Sequence, residues 1–265
     1  MPTADDDVND DLTWAKKCGV KFSLATYDDI EELKEYLRHN FHADEPLHKN
    51  FDVSNGEGLI DVYARYLTNN EYLVAPIEKN DAEIPCSIIA RNLSDNRIVA
   101  ARIGVIYNKR TDNLKESGFV GNWIGELPSF LNIPHKFICA VNAQSLMSDL
   151  HFSKLDAFNE LTDSGDSIYF ACSLSVSAEV RGKGLGAELL RRGYKIAKES
   201  GCKYTYVLAT SLYSQRIFQK LGGVRVLHEA RYENYRFDKR GRPFLVDTGV
   251  HEVIQVLAID HEVEG

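Results

Sequence analysis

Apolar residues recur along this chain with two periods, one fitting strands and one fitting helices. Lys21 to Ala25 reads as a first strand, and after Thr26-Tyr27-Asp28-Asp29, a capping-box sequence, Ile30, Leu33 and Leu37 share a helical face. Asp28, Asp29, Glu31 and Glu32 load the start of that helix with negative charge, while Arg38 and His39 sit near its end, as the helix dipole favours. Pro46 disfavours helical geometry at Glu45, so Phe41-His42-Ala43-Asp44-Glu45-Pro46-Leu47 is expected to leave the helix as a loop. A second helix is expected between Gly58 and Leu67.

Ile84 to Leu93 and Arg97 to Tyr107 are rich in β-branched residues, and Ser94-Asp95-Asn96 between them predicts an antiparallel hairpin. Residues 108–136 hold Gly118, Gly121, Pro128 and Pro134 without a steady period, which predicts a long surface excursion. The helical pattern resumes from Phe137 to Leu161. It is followed by a strand (Ile168 to Val176), a helix (Gly184 to Ser200), a strand (Tyr204 to Ala209) and a short helix (Ser211 to Leu221). Val224 to Phe237 and His251 to Ala258 read as closing strands around a turn-rich link at 238–243. Residues 1–18 are polar and acidic with no periodicity, so a frayed tail is expected there and one domain over 19–265.

Composition narrows the class. A chain of 265 residues that is 44% hydrophobic can bury a sizeable core as one domain. A net charge of −8 argues against a general nucleic-acid binder and is compatible with a cationic small substrate, although acidity also serves solubility. Cys18, Cys86, Cys139, Cys172 and Cys202 are widely spaced with no CxxC pair, and His42, His48 and His135 lack ligand spacing, so neither disulfides nor a metal are expected. Cys172 reads as a buried thiol. No signal-like opening and no apolar run near the ~20 residues of a membrane span are seen, so the expected location is cytoplasmic and no membrane partner is expected.

The candidate chemistry centres on Arg181-Gly182-Lys183-Gly184-Leu185-Gly186, which follows a predicted strand and opens a predicted helix. Unpaired N–H groups at a helix N-terminus carry the positive end of its dipole, and glycines admit close approach, so this order suits a phosphate. It is not a P-loop, and it matches only two of the three glycines of a dinucleotide fingerprint. Taken alone it also reads as a turn that lets a helix reverse onto a strand.

Leu174-Ser175-Val176-Ser177-Ala178-Glu179-Val180 leading into that turn resembles motif A of the GNAT superfamily of N-acetyltransferases. The resemblance implies a single-domain α/β (α+β) fold with a mixed central sheet flanked by helices and split around acetyl-CoA, the cosubstrate. It places the N–H groups of Gly182, Lys183, Gly184, Leu185 and Gly186 near pyrophosphate, and Arg181 and Lys183 by the same anion. Leu174, Ser175 and Val176 fall beside pantetheine, and Ser211 also falls at the cofactor. Ser211 to Gly223 is similar to the short GNAT helix that ends in a Gly-aromatic step, with Gly223 replacing the aromatic residue. Phe218 stands where many members have the tyrosine that protonates the departing thiolate.

Two further stretches, Asp44-Glu45-Pro46-Leu47 and Leu208-Ala209-Thr210-Ser211-Leu212-Tyr213-Ser214, resemble the invertebrate arylalkylamine N-acetyltransferase branch. An alkylamine with a pKa near that of lysine is the free base in roughly one molecule per thousand at neutral pH, so a proton acceptor is needed. The resemblance makes Glu45 that catalytic base, with Thr210 and Ser214 in place of a catalytic serine pair. Without it, Glu45 reads as a surface carboxylate, Thr210 or Ser211 as an N-cap, and Ser214 as a hydroxyl bonded to its own backbone. Tyr213 is a weaker candidate donor, and Tyr63, Tyr66 and Tyr72 are as readily packing residues as an aryl wall. The activity implied is direct acetyl transfer in a ternary complex to a small primary amine of the dopamine, octopamine, tyramine or serotonin type. The alternatives are a polyamine or amino-acid-like amine, or an acyl-CoA-binding protein whose chemistry has decayed.

Overall fold

The computed structural model describes residues 12–47, 74–77, 82–108, 167–237, 241 and 245–261. The helices expected at 58–67 and 137–161, the excursion at 108–136 and the three tyrosines Tyr63, Tyr66 and Tyr72 lie outside them. Strand β1 (Val20–Leu24) leads through the predicted capping box, in which the Thr26 N–H donates to Asp29 Oδ2 at 2.8 Å, into helix α1 (Ile30–Asp44). Strands β2 (Val74–Ile77) and β3 (Ala82–Pro85) form a separate antiparallel pair. Strands β4 (Ile88–Asn92) and β5 (Ile98–Asn108) make the predicted hairpin, with Asn96 at φ 61° in its turn. Then come β6 (Ser167–Val176), helix α2 (Leu185–Glu199), β7 (Cys202–Ala209), helix α3 (Leu212–Leu221), β8 (Val224–Arg231) and β9 (Val253–Asp260).

Among the described residues seven strands form one mixed sheet in the order β1-β4-β5-β6-β7-β9-β8, in which β6 and β7 are parallel and every other neighbour pair is antiparallel. Helix α1 covers one face, packing Leu33, Tyr36 and Leu37 on Ile89, Ala101, Ile103 and Phe170. On the other, Leu185 and Leu189 of α2 meet Ile88 and Val99, and Leu190 joins Phe218 of α3 against Ala171, Val207 and Leu257. Among the described residues no helix is long and apolar enough to cross a membrane.

The feature that positions a site is where β6 and β7 part. Their pairing runs from Ser167↔Cys202 to Ala171↔Val207 and then stops, after which the end of β6 pairs only with β5 and the end of β7 only with β9. The β5–β6 register shifts between Ile103 and Gly104, so that Cys172 stands as an extra residue at the point of divergence. Such a bulge bends its strand, and the bend turns the last residues of β6 away from β7. Cys172 is only partly buried rather than the fully buried thiol expected, and desolvation raises its thiol pKa.

Three further expectations need correction. Residues 12–18 are helical rather than a frayed tail, because Trp14 is buried edge-on against Phe22 at 6.0 Å between ring centroids. The strand expected over 224–237 ends at Arg231, where buried Tyr232 begins a 3-10 turn. The first arm of the hairpin is interrupted at Cys86 and Ser87: the Ser87 hydroxyl accepts from the Gly104 N–H at 3.2 Å, so a side chain takes the place of a ladder carbonyl.

Candidate active site

The split opens into a cavity of about 820 Å³, lined from one side by the end of α1 and from the other by the end of β6, the glycine turn and the start of α3. Of the sequence-predicted residues, Glu45, Leu174, Ser175, Val176, Arg181, Gly182, Gly184, Leu185, Gly186, Ser211 and Ser214 all line it. Lys183 is exposed on the turn and does not. Thr210 is buried behind the wall and reaches the site through its hydroxyl.

The glycine turn owes its shape to Gly182 (φ 77°) and Gly184 (φ 93°), backbone conformations that side chains with a Cβ rarely adopt. Gly184 is the N-cap of α2, and the N–H groups of Gly182 to Ala187 donate to no backbone acceptor among the described residues. A Cβ on Gly186 would lie 3.1 Å from Ile217, so glycine there allows α2 to sit close to α3. Free N–H donors, a close-approach surface and the helix dipole together make a fitting seat for a diphosphate. The Arg181 side chain is already engaged: Nε donates to the Val176 carbonyl at 2.7 Å, and the guanidinium pairs with Asp44 at the end of α1.

Glu45 is carried across the cavity by three local constraints. The helix ends at Asp44; the Glu45 N–H still donates to the Phe41 carbonyl at 2.9 Å, but its own backbone is extended, as the residue before Pro46 must be. Leu47 is then fully buried against Ala230, Tyr232, Leu245 and Ile254, which draws the chain inward. Glu45 itself is half-buried, and its carboxyl is held between two donors: the Leu47 N–H to Oε1 at 3.3 Å and the Thr210 hydroxyl to Oε2 at 3.0 Å. Burial pushes its pKa up to about 7, against the partial relief of the Thr210 and Leu47 bonds. The carboxyl thus titrates near neutrality, where a general base works best.

The hydroxyls of the downstream segment take separate places. Ser211, not Thr210, caps α3, its Oγ accepting from the Ser214 N–H at 3.2 Å. The Ser214 hydroxyl donates back to the Ser211 carbonyl at 2.8 Å while still lining the cavity. Phe218 is buried in the core between α2, α3 and β9 rather than on the cavity wall, so this position offers no proton donor.

Two residues of the site escaped sequence reading. The Tyr232 hydroxyl donates to the Thr210 carbonyl at 3.0 Å and fixes the backbone that carries the Thr210 side chain. The His251 ring lines the cavity; its Nδ1 accepts from the Leu212 N–H at 3.0 Å, which in the neutral ring puts the proton on Nε2, and the ring meets Tyr213 edge-on at 5.6 Å. Neither lies in a motif. His251 starts a predicted strand and Tyr232 sat within one, so only tertiary packing reveals them.

The model of the Acetyltransferase (GNAT) family matches residues 153–223, the segment that holds β6, the glycine turn, α2, β7 and α3. That segment of the chain is similar to the GNAT family. Members of this acetyltransferase family use acetyl-CoA as cosubstrate. The fold of the chain is similar to that of arylalkylamine N-acetyltransferase 2 from Aedes aegypti, with 23% identity over 91% of this chain and 99% of that one and a TM-score of 0.70. It is also similar to a mosquito arylalkylamine N-acetyltransferase like 5b (16% identity, 90% and 98% covered, TM-score 0.63). A third similar fold is the Drosophila melanogaster polyamine N-acetyltransferase that forms N-acetylagmatine (17% identity, 91% and 99% covered, TM-score 0.58). At these identities the likeness shows a shared fold over about nine-tenths of this chain.

Proposed function

We propose that the protein acetylates a small primary amine, an arylalkylamine in preference to a polyamine, by direct transfer from acetyl-CoA. One observation carries this reading: the Glu45 carboxyl, with its pKa raised to about 7, faces the same cavity as the glycine turn and the parted end of β6. The unpaired N–H groups of the turn bind the diphosphate of the donor, and Leu174 to Val176 lie along the pantetheine. Glu45 accepts a proton from the ammonium, directly or through one water, and Thr210 holds the carboxyl in place. Ser214 offers its hydroxyl oxygen on the donor side. The similar folds of two arylalkylamine acetyltransferases support the aryl class, and the polyamine enzyme among the neighbours makes spermidine and agmatine the comparison substrates.

The test is turnover with tyramine, octopamine, dopamine, serotonin, spermidine and agmatine, followed by a pH profile of the preferred amine with wild type and Glu45→Gln. Activity should rise as pH climbs through about 7 and Glu45 loses its proton, and Glu45→Gln should lower kcat/KM by on the order of 100-fold or more and lose that limb. A preference for spermidine or agmatine would overturn the aryl class, and an unchanged profile in Glu45→Gln would overturn the base. Tight acetyl-CoA binding with no turnover of any amine would favour a donor-binding protein instead.

A further inference from the structure

Thr210 stands one residue past the last rung between β7 and β9, Ala209↔Gln255, so ladder pairing ends just short of the side chain that holds Glu45. Two buried side chains take over there. From α3 the Gln215 amide donates through Nε2 to the Ala209 carbonyl and to the Val253 carbonyl, each at 2.9 Å, so both of its N–H groups are placed. On the next peptide the Tyr232 hydroxyl donates to the Thr210 carbonyl at 3.0 Å, while the Tyr232 N–H is bonded to the Glu252 carbonyl at 2.9 Å. Consecutive carbonyls at the end of β7 are thus tied to consecutive carbonyls at the start of β9. A buried peptide oxygen left unpaired costs about as much as a lost bond, so these side-chain donors do beyond the ladder what the ladder does within it.

The tie reaches the acid through one atom. The Thr210 hydroxyl meets Glu45 Oε2 at 3.0 Å, the long end of the range for a hydroxyl donor, so a small displacement of its backbone weakens the bond. Among the described residues no charged side chain bonds to the Glu45 carboxyl; the titratable groups on the surrounding elements are Asp44 and Arg181, paired with each other, and Tyr213, Lys220, Tyr232 and His251. Burial and the two donors, Thr210 and the Leu47 N–H, therefore govern its ionisation.

We infer that Gln215 and Tyr232 are positioning residues for the proton acceptor: tied to the carbonyls of Ala209 and Thr210, they hold the Thr210 hydroxyl against Glu45. This rests on the reading of Glu45 as the base, and it extends the machinery to two buried residues that do not line the cavity.

Carbon NMR titration of the Glu45 carboxyl in the ligand-free full chain reads this without any substrate. Tyr232→Phe keeps the ring and removes the donor; it should move the Glu45 transition up by about half a pH unit, and Gln215→Met should move it in the same direction. In a Thr210→Val background neither substitution should move it further, because the hydroxyl they position is gone. Tyr169→Phe is the structural control: its hydroxyl also donates to a buried carbonyl, that of Cys86 at 2.5 Å, so its loss should lower stability and leave the transition in place. Circular dichroism checks each fold, and Tyr232→Phe carries the test alone if Gln215→Met does not fold. An unmoved transition in a folded Tyr232→Phe or Gln215→Met would overturn the proposal, as would a shift that persists in the Thr210→Val background or an equal shift in Tyr169→Phe. A wild-type transition at the ordinary glutamate value of about 4.5 would overturn the base reading itself, a result distinct from an inert tie.

Discussion

The two walls of the cavity are built in different ways. The wall of the glycine turn is nearly one continuous stretch, Leu174 to Gly186, in which strand, turn and helix N-terminus follow each other and the N–H groups of the turn are left without a backbone acceptor among the described residues. The acid wall is assembled from afar: Glu45 and Thr210 are 165 residues apart, Tyr232 steadies Thr210, and His251 is fastened to the start of α3. Binding a phosphate needs only a local shape and a dipole. Shifting a carboxyl pKa needs burial, and burial is supplied by the whole core.

That contrast predicts how each wall breaks. The largest effect should come from Gly184→Glu, which places a Cβ at a φ of 93° beside Trp14 and a negative charge where the phosphate is expected. In a variant that circular dichroism shows to be folded, acetyl-CoA affinity should fall on the order of 100-fold or more. Ordinary affinity would remove the diphosphate from this turn. The acid wall should fail more gradually. Thr210→Val keeps the shape but removes the hydroxyl that favours the charged form of Glu45, so the proton is held more tightly and the rising limb of the pH profile should move up by about one unit. An unmoved limb would mean that Thr210 is not coupled to the titrating group.

The same contrast explains what could be read before the structure. Helix α2 and its turn were legible because glycine spacing, the preceding strand and the amphipathic run are neighbours in sequence, and the hairpin of β4 and β5 was legible for the same reason. Glu45 was legible only through its resemblance to a family motif. Nothing near it in sequence shows that Leu47 is pulled into a core made by Ala230, Leu245 and Ile254. The segment at 12–18 looked like a tail because its one buried anchor, Trp14, stands among polar residues with no period to announce a helix. Tyr232 and His251 gave no signal, since an aromatic residue at a strand end and a histidine before a strand are ordinary features until a partner appears.

The site proposal depends most on the protonation of Glu45. A carboxyl whose folded pKa exceeds its unfolded value keeps its proton in the folded state between the two. Folding therefore opposes ionisation of Glu45, and this contribution turns unfavourable as pH rises through that window. The direct measurement is a carbon NMR titration of the Glu side-chain carboxyls in isotopically labelled protein without ligands, with Glu45→Gln to assign the resonance. The predicted result is a single transition for Glu45 near pH 7; a transition at the ordinary glutamate value of about 4.5 would contradict the proposal that this carboxyl is the base.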